Sequence, residues 1–249
     1  MPELVYPPVI AAAKTMFRVL DLRLRVEGSH HVPRTGGAVL ASNHVSYLDF
    51  IFSGYGARDS RRLVRFMAKD SVFRHKVSGP LMRGMKHIPV NRAAGAGSYQ
   101  TAVSALRRGE VVGVFPEATI SHSFTVKELK SGAARMAQQA AVPLLPVALW
   151  GTQRLWTKGR PRTLTRRHTP ISILVGEPMD PAGYPDAATM TAELKNRLSA
   201  LVDRAQREYP EQPAGPDDAW WQPAHLGGAA PTPEEAAALD RRGPRAATS

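Results

Sequence analysis

The stretch "GGAVLASNHVSYLDFIFSGYGA", residues 36–57, decides the architecture. Its first seven residues are an apolar run with a glycine entry, which reads as a buried strand. "YLDFIFSGYGA", residues 47–57, reads as a short helix closed by glycines. A buried strand feeding a helix is half of a parallel βαβ unit. The polar turn between them carries a histidine and, five positions later, an aspartate.

The alternation extends both ways along the chain. Upstream, Pro7 and Pro8 precede a helix ending near Asp21, and "LRLRVEG", residues 22–28, alternates strictly as a strand with one polar face. Downstream, "LVRFMAKDSVF" (63–73) contains a strand, "GPLMRGM" (79–85) is helical and "HIPVN" (87–91) is a short strand. "SYQTAVSALRR" (98–108) is a helix terminated by Gly109. "VVGVFPE" (111–117) is a strand running into a loop, and "KELKSGAARMAQQAA" (127–141) is helical. "VPLLPVALWGT" (142–152) and "ISILVGEP" (171–178) are the last strands. A long helix from about Thr189 to Tyr209 places Leu194, Leu198, Leu201 and Ala205 on one side. The expected fold is a single α/β domain over residues 22–210, with a mostly parallel central sheet flanked by helices.

Two flanking segments differ. Residues 1–21 form an amphipathic helix with Ile10, Ala13, Phe17 and Leu20 on one face and Lys14 and Arg18 away from it. That pattern suits a helix lying in a membrane interface and equally one packed on its own domain. Its apolar run falls short of the ~20 residues that span a bilayer. "MPELVYPP" has neither a basic leader nor a long apolar run, so no secretory signal is expected. From residue 211 to 249, Pro, Ala, Gly and charge dominate, and a mostly disordered tail is expected. Within it Trp220 and Trp221 are candidates to dock locally, and "TPEEAAALDRR" (232–242) reads as a short helix.

The 249 residues carry 33 Lys and Arg against 21 Asp and Glu, a formal charge of +12. Such a balance suits nucleic acid, anionic lipid headgroups or a phosphorylated small molecule. Much of it lies in residues 58–92 and 154–167, and most of these side chains read as a solvated basic surface. Neither run interleaves aromatics or carries a nucleic-acid motif, so nucleic acid is not expected. With no cysteine, disulfides, thiolate metal sites and a cysteine nucleophile are excluded. The eight histidines are scattered without zinc spacing, and no metal is expected.

His44 stands just past a strand, where an open α/β sheet collects its reactive side chains. On a continuous helix, residues five apart point to different faces. His44 therefore meets Asp49 only if it precedes the helix and the chain bends between them, with Ser46 as N-cap. Ser46-x-x-Asp49 also fits a capping box, in which Asp49 satisfies backbone donors at the helix start. An alcohol needs a base near neutrality, and an imidazole held by a carboxylate through its other nitrogen supplies one.

"NHVSYLD", residues 43–49, resembles the N-H-x4-D signature of the glycerolipid acyltransferases, the family containing 1-acylglycerol-3-phosphate (lysophosphatidate) acyltransferase. Further blocks follow in the family's order. "KHIPVNR" (86–92) resembles the second block, which ends in an arginine, here Arg92. "VFPEATIS" (114–121) resembles the third, usually F-P-E-G-T-R-S, and "VPLLPVALWGT" resembles the fourth, with Pro143 in its key position. "FMAKDSVF" (66–73) and "LKSGAARMA" (129–137) are also similar, and the resemblance covers roughly residues 22–178.

The resemblance implies His44 as general base and Asp49 as the group that orients it, with Asn43, Ser46 and Pro143 in support. An acyl thioester, acyl-CoA or acyl carrier protein, is then the co-substrate, no cofactor is needed, and the product is phosphatidic acid. The absence of Cys and of a G-x-S-x-G elbow agrees with direct transfer. Arg92 takes the place of the acceptor's phosphate ligand. Glu117 is implied in the acceptor site, although a lone Glu there serves equally as a helix cap. Thr119 and Ser121 are hydroxyl donors. Lys86, Ala118 and Ile120 depart from the usual Gly, Gly and Arg, and Lys127 or Lys130 is the candidate to replace that Arg. Ile120 also invites another acceptor: a lysophospholipid, glycerol 3-phosphate or a glycolipid hydroxyl. The expected location is cytoplasmic, peripheral on an anionic inner membrane face. The reading of another class is a basic lipid- or nucleic-acid-binding protein without catalysis.

Overall fold

A computed structural model describes residues 3–91 and 95–241. The strands are β1 (Arg23–Glu27), β2 (Ala38–Ser42), β3 (Val64–Lys69), β4 (Ile88–Val90), β5 (Val111–Val114), β6 (Leu144–Trp150) and β7 (Pro170–Val175). Among the described residues they form one sheet in the order β1-β7-β6-β2-β5-β3-β4. β6, β2, β5, β3 and β4 run parallel, while β7 pairs antiparallel with β6 and parallel with β1. The expected mostly parallel sheet is present, with its reversal confined to β7 and β1.

The buried strands are apolar on both sides because helices cover both faces. Along β2, Ala38 and Leu40 point to one face and Val39 and Ala41 to the other, the period-two alternation of a strand. The Val39 face packs against α5 (Gly95–Arg107), α6 (Gly132–Ala140) and the front half of α7 (Ala187–Arg207), through Val103, Leu106, Met136 and Leu194. The Leu40 face packs against α1 (Tyr6–Val19) and α2 (Asp49–Tyr55), where Phe17 stacks on Phe52 with ring centres 5.1 Å apart. α7 begins at the side chain of Asp186, which accepts from Thr189 N at 2.7 Å, and buries Met190, Leu194, Leu198, Val202 and Ala205.

α1 thus lies on its own domain through Phe17, Leu20 and Tyr6, with Pro7 and Pro8 in its first turn, where a missing N–H costs nothing. Among the described residues no helix is long and apolar enough to cross a membrane. Two short helices, α3 (Asp70–Arg74) and α4 (Ser78–Gly84), follow β3. The expected helix over 127–141 is shorter than its sequence suggests. Its first residues are drawn into a loop, where Lys127 N donates to the Glu117 carboxyl and Lys130 N to Pro116 O.

The expectation of a mostly disordered 211–249 segment is corrected over 211–241; residues 242–249 lie outside the described residues. Two 3₁₀ turns and α8 (Pro233–Arg241) lie against the domain. Trp221 is 2% exposed and packs with Trp150 and Tyr209 around α7. The Arg154 guanidinium stacks 4.3 Å from the Trp221 ring centre and pairs with Glu211. Burying a tryptophan's ~150–250 Å² is worth roughly 4–6 kcal/mol before ordering entropy is charged. In a segment poor in aliphatic side chains that ring is the largest buried group.

Several cations expected at the surface instead brace loops. Arg65 bonds Glu3, Glu110 and Met85 O, and Arg62 bonds the carbonyls of Pro33, Gly36 and Gly109. Beside Arg65, His87 is buried and its Nδ1 accepts from Phe66 N at 3.0 Å. Burial, and then the Arg65 charge, push its pKa down to about 4. A depressed imidazole pKa stabilises the fold above the unperturbed value of about 6.5. That share is lost as the pH falls through about 4. His87→Asn keeps an acceptor for Phe66 N and removes the titration. In denaturant unfolding it is expected to lose stability less steeply than the wild type between about pH 6.5 and 4, and equal slopes would refute the assignment.

Candidate active site

The parallel strands all end at one edge, and the segments leaving β2, β5 and β6 converge there. From β2 comes Asn43, whose side chain clamps β6 by donating to Leu149 O at 3.0 Å and accepting from Leu149 N at 2.7 Å. His44 follows, at the point where the chain leaves the sheet. The backbone then turns and α2 begins at Asp49.

The turn is organised around the Asp49 carboxylate, which is fully buried. Its Oδ2 accepts from Val45 N and Ser46 N, both at 2.7 Å, and lies 2.9 Å from His44 Nδ1. Its Oδ1 accepts from Thr152 Oγ1 at 2.6 Å. Two backbone N–H groups can only donate, so Oδ2 is an acceptor and the proton of the 2.9 Å contact sits on Nδ1. Nε2 then carries the imidazole's lone pair, on a side chain that is 21% exposed. The capping role and the orienting role coexist on one carboxylate. Ser46 differs from a simple N-cap: its hydroxyl accepts from Leu48 N at 3.1 Å and donates to Trp156 O at 2.6 Å.

Glu117, after β5, holds the same turn from the other side. Its Oε1 accepts from His44 N at 2.8 Å and its Oε2 from Lys127 N at 3.1 Å. Burial raises its pKa to about 8, against the two backbone N–H bonds that favour the charged form. Both carboxyl oxygens are engaged by the protein's own backbone, so Glu117 ties two loops together. That is nearer to the capping alternative than to a group aimed at an acceptor.

The remaining expected residues divide by position. Thr119 Oγ1 accepts from Lys127 Nζ at 2.7 Å, which brings these two together. Ser121 is corrected: fully buried, it gives its hydroxyl to Thr125 O at 2.8 Å and presents no donor outward, while its backbone N–H donates to His44 O at 2.8 Å. Lys130 is exposed. Pro143 stands just before β6, at the sheet edge opposite His44; its carbonyl accepts from Val39 N at 2.9 Å, so its support is to the sheet. Arg92 lies outside the described residues. Ile120 is buried, and no cation occupies its position. Lys86 and Ala118 both adopt left-handed backbone, φ +56° and +62°. Glycine enters that region without the roughly 1–2 kcal/mol that other residues meet, so the departures from the usual glycines preserve the turns at a cost. Lys86 and His87 add no free charge: Lys86 Nζ bonds Glu3 at 2.7 Å and His87 is the buried acceptor described above.

Several contributors carry no signal that sequence reading singles out. Thr152 reaches Asp49 because Gly151 turns with φ +93°, where a Cβ would lie 2.2 Å from Pro170 O. Thr157 Oγ1 donates to Val45 O at 2.7 Å, so the 152–157 loop braces the whole 43–49 turn. Phe115 stacks under the His44 ring at 4.3 Å, and Phe66 stacks in turn on Phe115 at 6.0 Å. Gly113 makes room for Phe66, since a Cβ there would come within 2.4 Å of its ring. "VFPE" and "WGT" contain the only hints, an aromatic before the Pro-Glu and a hydroxyl after the glycine.

Beyond Phe66 opens a cavity of about 590 Å³ between α1, α2, β3 and α4, lined by Ile10, Ala13, Ile51, Phe66, Leu81 and Met82 among others. It is almost wholly apolar, and its size is that of a ligand pocket.

Because Glu117 binds its proton more tightly folded than unfolded, its contribution to stability is full below about pH 4.5 and declines as the pH rises through about 8. Glu117→Gln sets one N–H against a backbone donor and is destabilising throughout, by about 1–3 kcal/mol at low pH. The gap to the wild type is expected to narrow from pH 5 to pH 8 in guanidinium titrations, between the ordinary carboxyl value of 4.5 and the raised pKa of about 8. A gap that widens would reverse the assignment.

The Acyltransferase family model matches residues 23–150, more than half of the chain. A 1-acyl-sn-glycerol-3-phosphate acyltransferase of Bacillus subtilis is 29% identical over 198 residues, covering 75% of this chain and 92% of that one. The chloroplastic 1-acyl-sn-glycerol-3-phosphate acyltransferase LPAT1 of Arabidopsis thaliana is 26% identical over 185 residues, and the match spans 49% of its length. The crystal structure of the 1-acyl-sn-glycerophosphate (LPA) acyltransferase PlsC from Thermotoga maritima superposes with a TM-score of 0.70 at 24% identity, over 82% of this chain and 81% of that one, so the two share a fold. This chain belongs to the acyltransferase family, enzymes that transfer acyl groups.

Proposed function

We propose that the chain moves a fatty acyl group from an acyl thioester, acyl-CoA or acyl carrier protein, to the free hydroxyl of 1-acyl-glycerol 3-phosphate, giving phosphatidic acid. The observation that carries this reading is the 2.9 Å contact between His44 Nδ1 and an Asp49 oxygen already committed as an acceptor to two amides. It leaves Nε2 as a base. The hydroxyl proton passes to Nε2 as the alkoxide oxygen forms its bond to the thioester carbonyl carbon. The C–S bond then breaks, and the departing thiolate takes the proton back from the imidazolium. Asp49 faces the imidazolium throughout and stabilises its charge, and no acyl-enzyme is needed.

The substrates follow from the surroundings. The apolar cavity suits an acyl chain, and the Phe66–Phe115 stack links its inner end to the His44 ring. In its lining Leu81 is exposed, and Lys14, Arg58, Arg61 and Arg62 belong to the same lining; Leu4 and Val77, also exposed, are close in sequence to the lining residues Tyr6 and Ser78. Exposed apolar side chains among cations support a peripheral seat on an anionic membrane surface, the inner face of the cell membrane, from which acceptor and acyl chain enter. The acceptor's name comes from the relatives, and the Lys127–Thr119 pair beside the Glu117 bridge supports an anionic one. The buried Ile120 favours the second reading, an acceptor without a phosphate monoester.

A screen of lysophosphatidate against lysophospholipid and monoacylglycerol acceptors, followed by thiol release from palmitoyl-CoA, separates the two readings. His44→Ala is expected to lower the rate by ~10²–10⁴ while leaving the folded circular dichroism spectrum intact; a rate within about twofold of wild type would end the general-base reading. Ala13→Phe fills part of the cavity and is expected to shift the preferred donor toward shorter acyl chains. An unchanged profile across a series of acyl-CoAs would place the chain elsewhere.

A further inference from the structure

Beside the catalytic turn, three basic side chains from two loops meet a carboxylate from the C-terminal helix. Lys127 Nζ bonds Asp240 Oδ2 at 2.6 Å, Lys158 Nζ bonds Asp240 Oδ1 at 3.2 Å, and His122 Nε2 lies 3.8 Å from the same Oδ1. Thr119 Oγ1 is the further partner of Lys127 Nζ.

Both loops are tied to the His44 turn. Lys127 donates its backbone N–H to one oxygen of Glu117 while His44 donates to the other. Lys158 follows Thr157, whose hydroxyl bonds Val45 O at 2.7 Å. His122 follows Ser121, whose N–H bonds His44 O at 2.8 Å. The cluster therefore sits within one residue of three of the contacts that hold the catalytic turn. It is anionic ligand chemistry in miniature: two ammonium groups and an imidazole around two carboxylate oxygens, with a hydroxyl on one of the ammonium groups. All four charged or titratable groups remain partly exposed, with Asp240 at 24%.

We propose that Lys127, Lys158 and His122 seat the phosphate of the acceptor, and that α8 is a built-in competitor whose Asp240 carboxylate fills that seat until a phosphate monoester displaces it. This rests on the anionic-acceptor reading above and extends it with two ligands, Lys158 and His122, and a gate. The placement accounts for the loss of an arginine at Ile120, because the charge is delivered from 127 and 158 instead. A dianionic phosphate offers more acceptor oxygens and more charge than one carboxylate, so it is the better partner for two ammonium groups. Although burial opposes it, bonds from Lys127 and Lys158 hold Asp240 below the ordinary aspartate range. Burial, then Lys158, hold His122 below the ordinary imidazole range. The strap is weak enough to release: it ends a segment anchored at Trp221, and its ion pairs are of the partly exposed kind.

The test is calorimetric titration of the full-length chain with glycerol 3-phosphate, with glycerol as control and no acyl donor present. An internal competitor held by partly exposed ion pairs hides its seat by roughly 3–10-fold. Asp240→Asn is therefore expected to tighten glycerol 3-phosphate by that factor, and Lys158→Ala to weaken it by at least as much, with glycerol unaffected by either. Thermal melts of both variants report whether α8 or the loop has simply come loose. If Asp240→Asn lowers the melting temperature without changing phosphate affinity, Asp240 is only a structural strap and the proposal fails. It fails equally if Lys158→Ala binds glycerol 3-phosphate like the wild type. Binding read without turnover keeps this outcome separate from the acyl-transfer reading: absence of thiol release with the expected binding changes would sink that reading alone.

Discussion

One buried carboxylate organises the edge of this sheet. Asp49 collects two backbone N–H groups, a threonine hydroxyl and an imidazole N–H, joining the 44–46 turn to the loop after β6. A buried carboxylate is costly unless its lone pairs are met, and here they are. The same bonds that remove that cost set the direction of His44. Stability of the turn and orientation of the ring are thus one set of interactions, and altering either alters the other.

Around that centre the protein uses backbone more than side chains. Glu117 joins the His44 and Lys127 amides across two loops. Asn43 joins β2 to β6 as a surrogate strand residue where the ladder ends. Thr152, Trp156 and Thr157 bring the loop after β6 back over the turn. Beneath the ring lies a stack of aromatics, Phe115 then Phe66, that leads from polar chemistry to an apolar cavity. The glycine at 113 leaves room for the Phe66 ring in that stack.

The C-terminal segment shows where composition misleads. Residues 211–241 are poor in the aliphatic side chains that build cores, yet Trp221 enters a pocket between α7 and β6 and Arg154 stacks on it. Composition counts every residue of a segment alike, whereas one large ring in a prepared pocket outweighs many prolines. A related limit applies to the cations. Arg62, Arg65 and Arg154 read as surface charge, but each is engaged by carbonyls or carboxylates inside the fold, a fate decided by residues distant in sequence.

By itself the sequence determined the layered α/β plan, because apolar runs and helical spacing are local patterns that report burial directly. It also determined the candidate base and its partner, because "NHVSYLD" places them within one bend of the chain. Only the tertiary structure decided that Ser121 faces inward, that Pro143 belongs to the far edge, and that Thr152 completes the Asp49 set. Those outcomes depend on strand register and on loops that meet across long stretches of chain, as Asp49 and Thr152 do at a separation of 103. Spacing along a chain says which neighbours can share a turn; which distant hydroxyl or cation arrives beside them is set by how the strands stack.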